Sequence, residues 1–155
     1  MHSAIGYVRV STAMQAEDGQ SLEAQRAKIE AWANLNDYSL KAVHVDAGLS
    51  GKQMKNRHGL QAALADCERG NVLVVYSLSR LSRSIRDTLD MSDRLAKIGA
   101  DLVSISEKID TTSAAGKMVF RMLSVMAQFE SDQISERVTF GMQHKKQHGG
   151  RVGTI

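Results

Sequence analysis

Ser11 directly follows the apolar run Ala4-Ile5-Gly6-Tyr7-Val8-Arg9-Val10 and is flanked by Arg9 and Thr12. A serine in such a place is commonly a turn former. Arginines that converge from other segments change that reading. Arg57 closes one glycine-punctuated loop, and Arg80 and Arg83 lie in Leu78-Ser79-Arg80-Leu81-Ser82-Arg83. Ser77 to Arg86 holds Arg80, Arg83 and Arg86 with no acid, and Gly48 to Arg57 holds Lys52, Lys55 and Arg57 with none. Guanidiniums gathered without carboxylates repel one another and favour a bound anion. Phosphate suits them, because the planar fork donates two parallel hydrogen bonds and stays charged at any working pH. Solvated surface arginines making scattered ion pairs are the competing explanation.

Other chemistries have less to work with. His44 falls on an expected strand, and His144 and His148 lie far along the last helix, so no Ser/His/Asp triad is placed. One cysteine and scattered histidines give no metal-ligand spacing. Neither G-x-G-x-x-G nor G-x-x-x-x-G-K-[ST] is present. A serine nucleophile among arginines, without metal or histidine base, matches phosphoryl transfer in which positive charge does most of the work. Arginine gives up its proton with difficulty, so the group that accepts the Ser11 proton stays unassigned.

The elements that must carry these residues alternate. Expected strands are Ala4 to Val10, Leu40 to Val45, Asn71 to Tyr76 and Asp101 to Ser106. Between them lie a helix capped by Ser21 and ending at Asn34 to Asp37, a helix over Arg57 to Glu68 stopped by Gly70, and a helix from Ser84 to Gly99. The last of these has Ile85, Leu89, Ser92 and Leu95 as its inward stripe. This alternation predicts an α/β domain, a mostly parallel sheet of four to five strands with helices on both faces and its ligand crevice beyond the strands' carboxyl ends. The loops at 11–20, 47–57 and 77–83 all open there.

Ala115 to about Gln147 reads as one helix of ~30 residues, ~45 Å long, projecting from a domain ~30 Å across. Met118 to Phe129 is apolar nearly all round, with Met118, Met122 and Met126 on one face. Core filling and a subunit interface both fit that pattern; the helix outrunning its domain favours the interface. The expected division is a core over 1–114, a long projecting helix suited to oligomerisation over 115–148, and a short tail over 149–155.

At 155 residues, 43% hydrophobic and 24% charged, the chain has room for one folded domain and is no disordered or disulfide-built segment. A lone Cys67 fits a reducing, cytoplasmic setting. Nowhere do ~18 apolar residues run together, so no membrane span or signal segment is expected. The net charge of +3 hides an uneven distribution: after Glu136 no acid follows, while Arg137, Lys145, Lys146 and Arg151 supply four positive charges. That end of the helix is expected to meet phosphates.

In order along the chain, Tyr7-Val8-Arg9-Val10-Ser11-Thr12 with Gln15, Ser21-Leu22-Glu23 with Gln25, Asp46 with Gly48, Ser50-Gly51 and Arg57, Arg80-Leu81-Ser82-Arg83-Ser84, Asp110-Thr111 with Gly116, Phe129-Glu130 and Glu136-Arg137 resemble the catalytic domain of the serine recombinases, the resolvase/invertase family. The resemblance covers essentially the whole chain. It implies that Ser11 attacks a phosphodiester of double-stranded DNA, releases a 3′-hydroxyl and holds the broken end as a 5′-phosphoserine, with no cofactor and no metal. It implies that Arg9, Arg57, Arg80 and Arg83 bind the scissile phosphate, that Gln15 and Ser50 support them, and that Glu136 and Arg137 lie near DNA. It also implies a homodimer built on the last helix and a tetramer when two sites synapse. Two positions depart from the family pattern: Ser79 stands where an aspartate is usual, and Ser131 where many members have arginine. They motivate an alternative, a catalytically impaired member that only binds DNA or oligomerises. His58 replaces a common proline, which the first turn of a helix tolerates. A receiver- or flavodoxin-like small-molecule module shares the alternation but leaves the arginines unexplained. Gly149-Gly150-Arg151-Val152-Gly153 resembles the family's link to a DNA-binding part, so the 155 residues are expected to be a catalytic fragment.

Overall fold

The computed structural model describes residues 2–10, 21–47, 57–82 and 84–147, with side chains as far as Arg137. Among the described residues, five strands and five helices follow in order: β1 (His2–Val10), α1 (Leu22–Leu35), β2 (Tyr38–Ala47), α2 (His58–Asp66), β3 (Val72–Val75), α3 (Leu78–Leu81), α4 (Ile85–Ile98), β4 (Asp101–Ser104), β5 (Ile109–Asp110) and α5 (Ala114–Gln147). The strands form one sheet in the order β2-β1-β3-β4-β5. All neighbours are parallel except β4 and β5. The expected α/β architecture is therefore present, with the short β5 as its antiparallel fifth strand.

β1 occupies the point where strand order reverses, with β2 on one side and β3 on the other. Every residue from Ala4 to Val10 is buried, as is all of β3. Successive side chains of a strand point to opposite faces, so burial of the whole run means both faces are covered there. Ala4, Val8, Val72, Val74 and Val103 pack with Ile29 of α1 to form the core on one side.

Local chemistry sets the helix ends. The Ser21 hydroxyl accepts the Ala24 N–H at 3.1 Å, and the Ser84 hydroxyl accepts that of Asp87 at 3.4 Å. Gly99, at φ 83°, closes α4 with its N–H on Ala96 and Leu95 carbonyls. α5 begins where Gly116 lies against β5: a Cβ there would sit 1.7 Å from the Asp110 carbonyl oxygen, so only glycine permits the approach.

Three local expectations are corrected. The segment expected as an open loop over 77–83 contains a helical turn, α3, closed by Ser82 N–H on the Leu78 carbonyl at 3.0 Å. α2 ends at Asp66, before Glu68, because Cys67 is extended and buried. On α4 the inward face is Thr88 and Leu95 with Leu89 and Ser92 half-buried beside them, as expected for the last three, whereas Ile85 is 45% exposed. The apolar residue at 85 lies one turn too early to reach the sheet.

The chain divides into two compact units, Met1–Phe120 and Arg121–Ile155, with α5 beginning in the first and supplying the described part of the second. In the first, Phe120 is buried. In the second, Met122, Val125, Met126, Phe129 and Ile134 are exposed. Among the described residues no helix is long and apolar enough to cross a membrane.

Candidate active site

The site is assembled at the carboxyl ends of β1, β2 and β3. Arg9, next to last in β1, has its side chain wholly buried, and so does Arg80 of α3. Arg57 immediately precedes α2 and is half-buried. These three arginines come from separate segments and meet on one short stretch of backbone. An Nη2–H of Arg9 donates to the Ser79 carbonyl. Arg57 donates from Nη1 to the Leu81 carbonyl and from Nη2 to the Arg80 carbonyl, the latter at 2.9 Å. Two guanidiniums thus grip the three successive carbonyls of the turn that carries the third.

Arg57 is held from behind by a phenol and a carboxylate. Tyr7 of β1 accepts from Arg57 Nη2 at 2.9 Å and Nε at 3.3 Å, and its own hydroxyl donates to Asp46 Oδ2 at 2.8 Å. Burial raises the Tyr7 phenol above its usual range, against the lowering effect of the Arg57 charge. The hydroxyl therefore keeps its proton and remains a donor to Asp46. Asp46, next to last in β2, also accepts the N–H groups of Gly59 at 2.9 Å and Leu60 at 3.1 Å. Its carboxylate thereby satisfies amides in the first turn of α2, where negative charge is favoured. Gly59 makes this possible, since a Cβ would lie 2.6 Å from the Val45 carbonyl oxygen.

Arg9 is oriented by its backbone. β1 pairs with β3 only as far as Tyr7↔Val75. Beyond that pair the buried Gln25 amide takes the place of a strand: Nε2 donates to the Arg9 carbonyl at 3.0 Å, and Oε1 accepts the Arg9 N–H at 3.3 Å. Satisfying these buried backbone groups fixes the last turn of chain before Ser11.

Arg9, Arg57 and Arg80, expected as phosphate ligands, are thus brought together. Ser11, Gln15, Ser50 and Arg83 lie outside the described residues, as does Arg151. Glu136 and Arg137 are exposed on α5 within the second unit; Lys145 and Lys146 belong to the same helix, their side chains outside the description. Tyr7, Asp46 and Gln25 had no role assigned from sequence. Gln25 was findable, a polar residue on the stripe of Leu22, Ile29 and Ala33. Tyr7 and Asp46 each stand near a strand end, but nothing in their spacing pairs them with Arg57.

The resolvase N-terminal domain family matches residues 4–151. The chain is 34% identical over 149 residues to the DNA-invertase hin of Salmonella typhimurium strain LT2, covering 96% of this chain and 71% of that protein. It is 32% identical over 149 residues to the serine recombinase gin of Escherichia phage Mu, covering 96% and 70%. Its fold superposes on the N-terminal catalytic domain of TP901-1 integrase with a TM-score of 0.74 at 34% identity, covering 84% of this chain and 98% of that one. The chain belongs to the resolvase N-terminal domain family, the catalytic domains of serine recombinases.

Proposed function

We propose that the chain is the catalytic part of an active site-specific recombinase that cuts and rejoins double-stranded DNA through a phosphoserine. The observation that carries this reading is the convergence of Arg9, Arg57 and Arg80 beside the strand that runs directly into Ser11. Ser11 Oγ bonds to the scissile phosphorus as the P–O3′ bond breaks. The serine loses its proton, and the departing O3′ gains one to become a 3′-hydroxyl. The 5′-phosphate stays esterified to Ser11, and reversal by a different 3′-hydroxyl rejoins the strands. One ester replaces another, so no nucleotide or metal cofactor is required.

Arg9, Arg57, Arg80 and Arg83 stabilise charge on the non-bridging oxygens, the largest contribution available to such a site. Gln15 and Ser50 support them. Because Arg9 and Arg80 are fully buried in the free chain, a phosphate reaches them only after the covering groups shift. Glu136, Arg137, Lys145, Lys146 and Arg151 follow the DNA, in a soluble cytoplasmic protein with a core over 1–114, a helix over 115–148 and a linker starting at 149. The exposed face of α5 is the dimer contact, and two dimers form the synaptic tetramer.

The test is to incubate the full gene product with DNA of its source organism and recover fragments that stay attached under denaturant. A covalent adduct is expected, and Ser11→Ala abolishes it; an adduct that survives that change overturns the reading. The alternative, an impaired member, draws on Ser79, whose hydroxyl lies 2.8 Å from that of Ser77 while its carbonyl serves Arg9. DNA retention without any adduct, even after Ser79→Asp, identifies that case.

A further inference from the structure

α3 carries Arg80 and is tied at both ends to other parts of the first unit. Its carbonyls are gripped by Arg9 and Arg57. At the other end Ser77, the residue before the helix, makes no capping bond with its side chain. The cap comes from a carboxylate 29 residues away: the Leu78 N–H donates to Glu107, 3.1 Å from Oε2 and 3.3 Å from Oε1.

Glu107 is itself fixed. Ser104, buried at the end of β4, donates its hydroxyl to Glu107 Oε1. The turn bearing Glu107 is stitched to the exit of β3, Ile105 N–H on the Val75 carbonyl at 3.1 Å and Ser106 N–H on that of Tyr76 at 2.7 Å. It then reverses at Lys108, whose φ of 57° is left-handed. An exposed carboxylate thus directs both oxygens back into the fold.

The two anchors differ in chemistry, and on the recombinase reading an arriving phosphate meets them differently. The guanidinium donors on the Ser79, Arg80 and Leu81 carbonyls are those that an arriving phosphate competes for. The Glu107 contact uses a charged acceptor and a backbone donor, a strong pairing that the phosphate leaves intact. We propose that Glu107 is a positioning residue for phosphoryl transfer: it holds the amino end of α3, and with it Arg80, while Arg9 and Arg57 exchange α3 carbonyls for the DNA phosphate. The role in transfer rests on the recombinase reading; the clamp itself does not.

The test compares Glu107→Ala and Glu107→Gln in the full gene product, using the same genomic DNA. Glu107→Ala is expected to slow covalent adduct formation about tenfold, as displaced catalytic groups do, with non-covalent DNA retention unchanged. Glu107→Gln keeps an acceptor for Leu78 and returns the rate to within about threefold of the parent. Amide exchange over Leu78–Ser82 rises in the alanine variant alone. Ser104→Ala, a milder change, slows the adduct about threefold and has no further effect on top of Glu107→Ala, as expected of residues acting as a unit. An unaltered rate or unaltered exchange in Glu107→Ala, a glutamine variant as slow as alanine, or additive losses in the double variant overturns the proposal. Absence of an adduct in the parent instead sinks the recombinase reading, while amide exchange still judges the clamp.

Discussion

The carboxyl edge of the sheet and the apolar face of α5 invert the usual rule of burial. At the edge, Arg9 and Arg80 are wholly buried charges, whereas along α5 Met118, Met122, Val125, Met126 and Phe129 are each between 55% and 70% exposed. A buried guanidinium is tolerated when hydrogen bonds replace water, as the bond from Arg9 to the Ser79 carbonyl does in part. An exposed apolar face gains about 1.5–3 kcal/mol per large side chain only when something covers it. The first region is completed in part by the chain's own backbone; the second stays exposed in the single chain. The proposed catalytic groups and the proposed assembly surface should therefore answer to different substitutions.

The largest effect should come from removing the carboxylate that three donors share. Asp46→Ala leaves the Gly59 and Leu60 amides and the Tyr7 hydroxyl without their acceptor, and should cost about 3 kcal/mol or more in urea unfolding. A loss under about 0.5 kcal/mol, typical of a surface change, would mean that the edge is not built as a unit.

Next is the helix. Met122→Glu combined with Met126→Glu should weaken self-association at least about 100-fold in sedimentation, while the unfolding free energy of the separated chain moves by less than about 0.5 kcal/mol. Equal association of both proteins would remove α5 from the interface and erase the contrast between the regions.

Tyr7→Phe sharpens the edge side alone. It removes the hydroxyl between Arg57 and Asp46 and should cost about 1–2 kcal/mol. Adduct formation should slow with association unaltered, so a change in association would link the two regions.

A pH effect arises within the first unit. Burial, with the Asp66 charge adding to it, pushes the Cys67 thiol from 9.0 up to about 11. Because the folded chain holds this proton more tightly than the unfolded one, the stability it contributes is complete below pH 9.0 and fades as pH rises toward about 11. Tyr7, also raised, adds to the loss in the same direction at still higher pH. Urea midpoints from pH 8 to 11 should fall for the parent, and less steeply for Cys67→Ala. The smallest effect is Ser21→Ala, about 1 kcal/mol from the lost cap of α1, a helix end remote from the difference between the regions.

The alternation of apolar runs and caps was enough to read β1 to β4 and the major helices, because side-chain period and capping are local properties. The helical turn at Leu78–Leu81 was not legible: four residues are too short for a period, and its ends are secured by Arg9, Arg57 and Glu107 from elsewhere. The arginines were legible as a charge pattern, their shared target was not.

By itself the sequence determined the strand–helix order, the family pattern around Ser11 and the set of arginines, since each depends on residue type and spacing. Only the tertiary structure decided that Tyr7 and Asp46 stand behind Arg57, that Gln25 serves as a strand for Arg9, and that Glu107 caps α3. Those pairings join residues 39, 50, 16 and 29 positions apart. Hydrogen bonds of that span depend on the register of β1 between β2 and β3 and of β3 beside β4, which the whole core sets and no local stretch encodes.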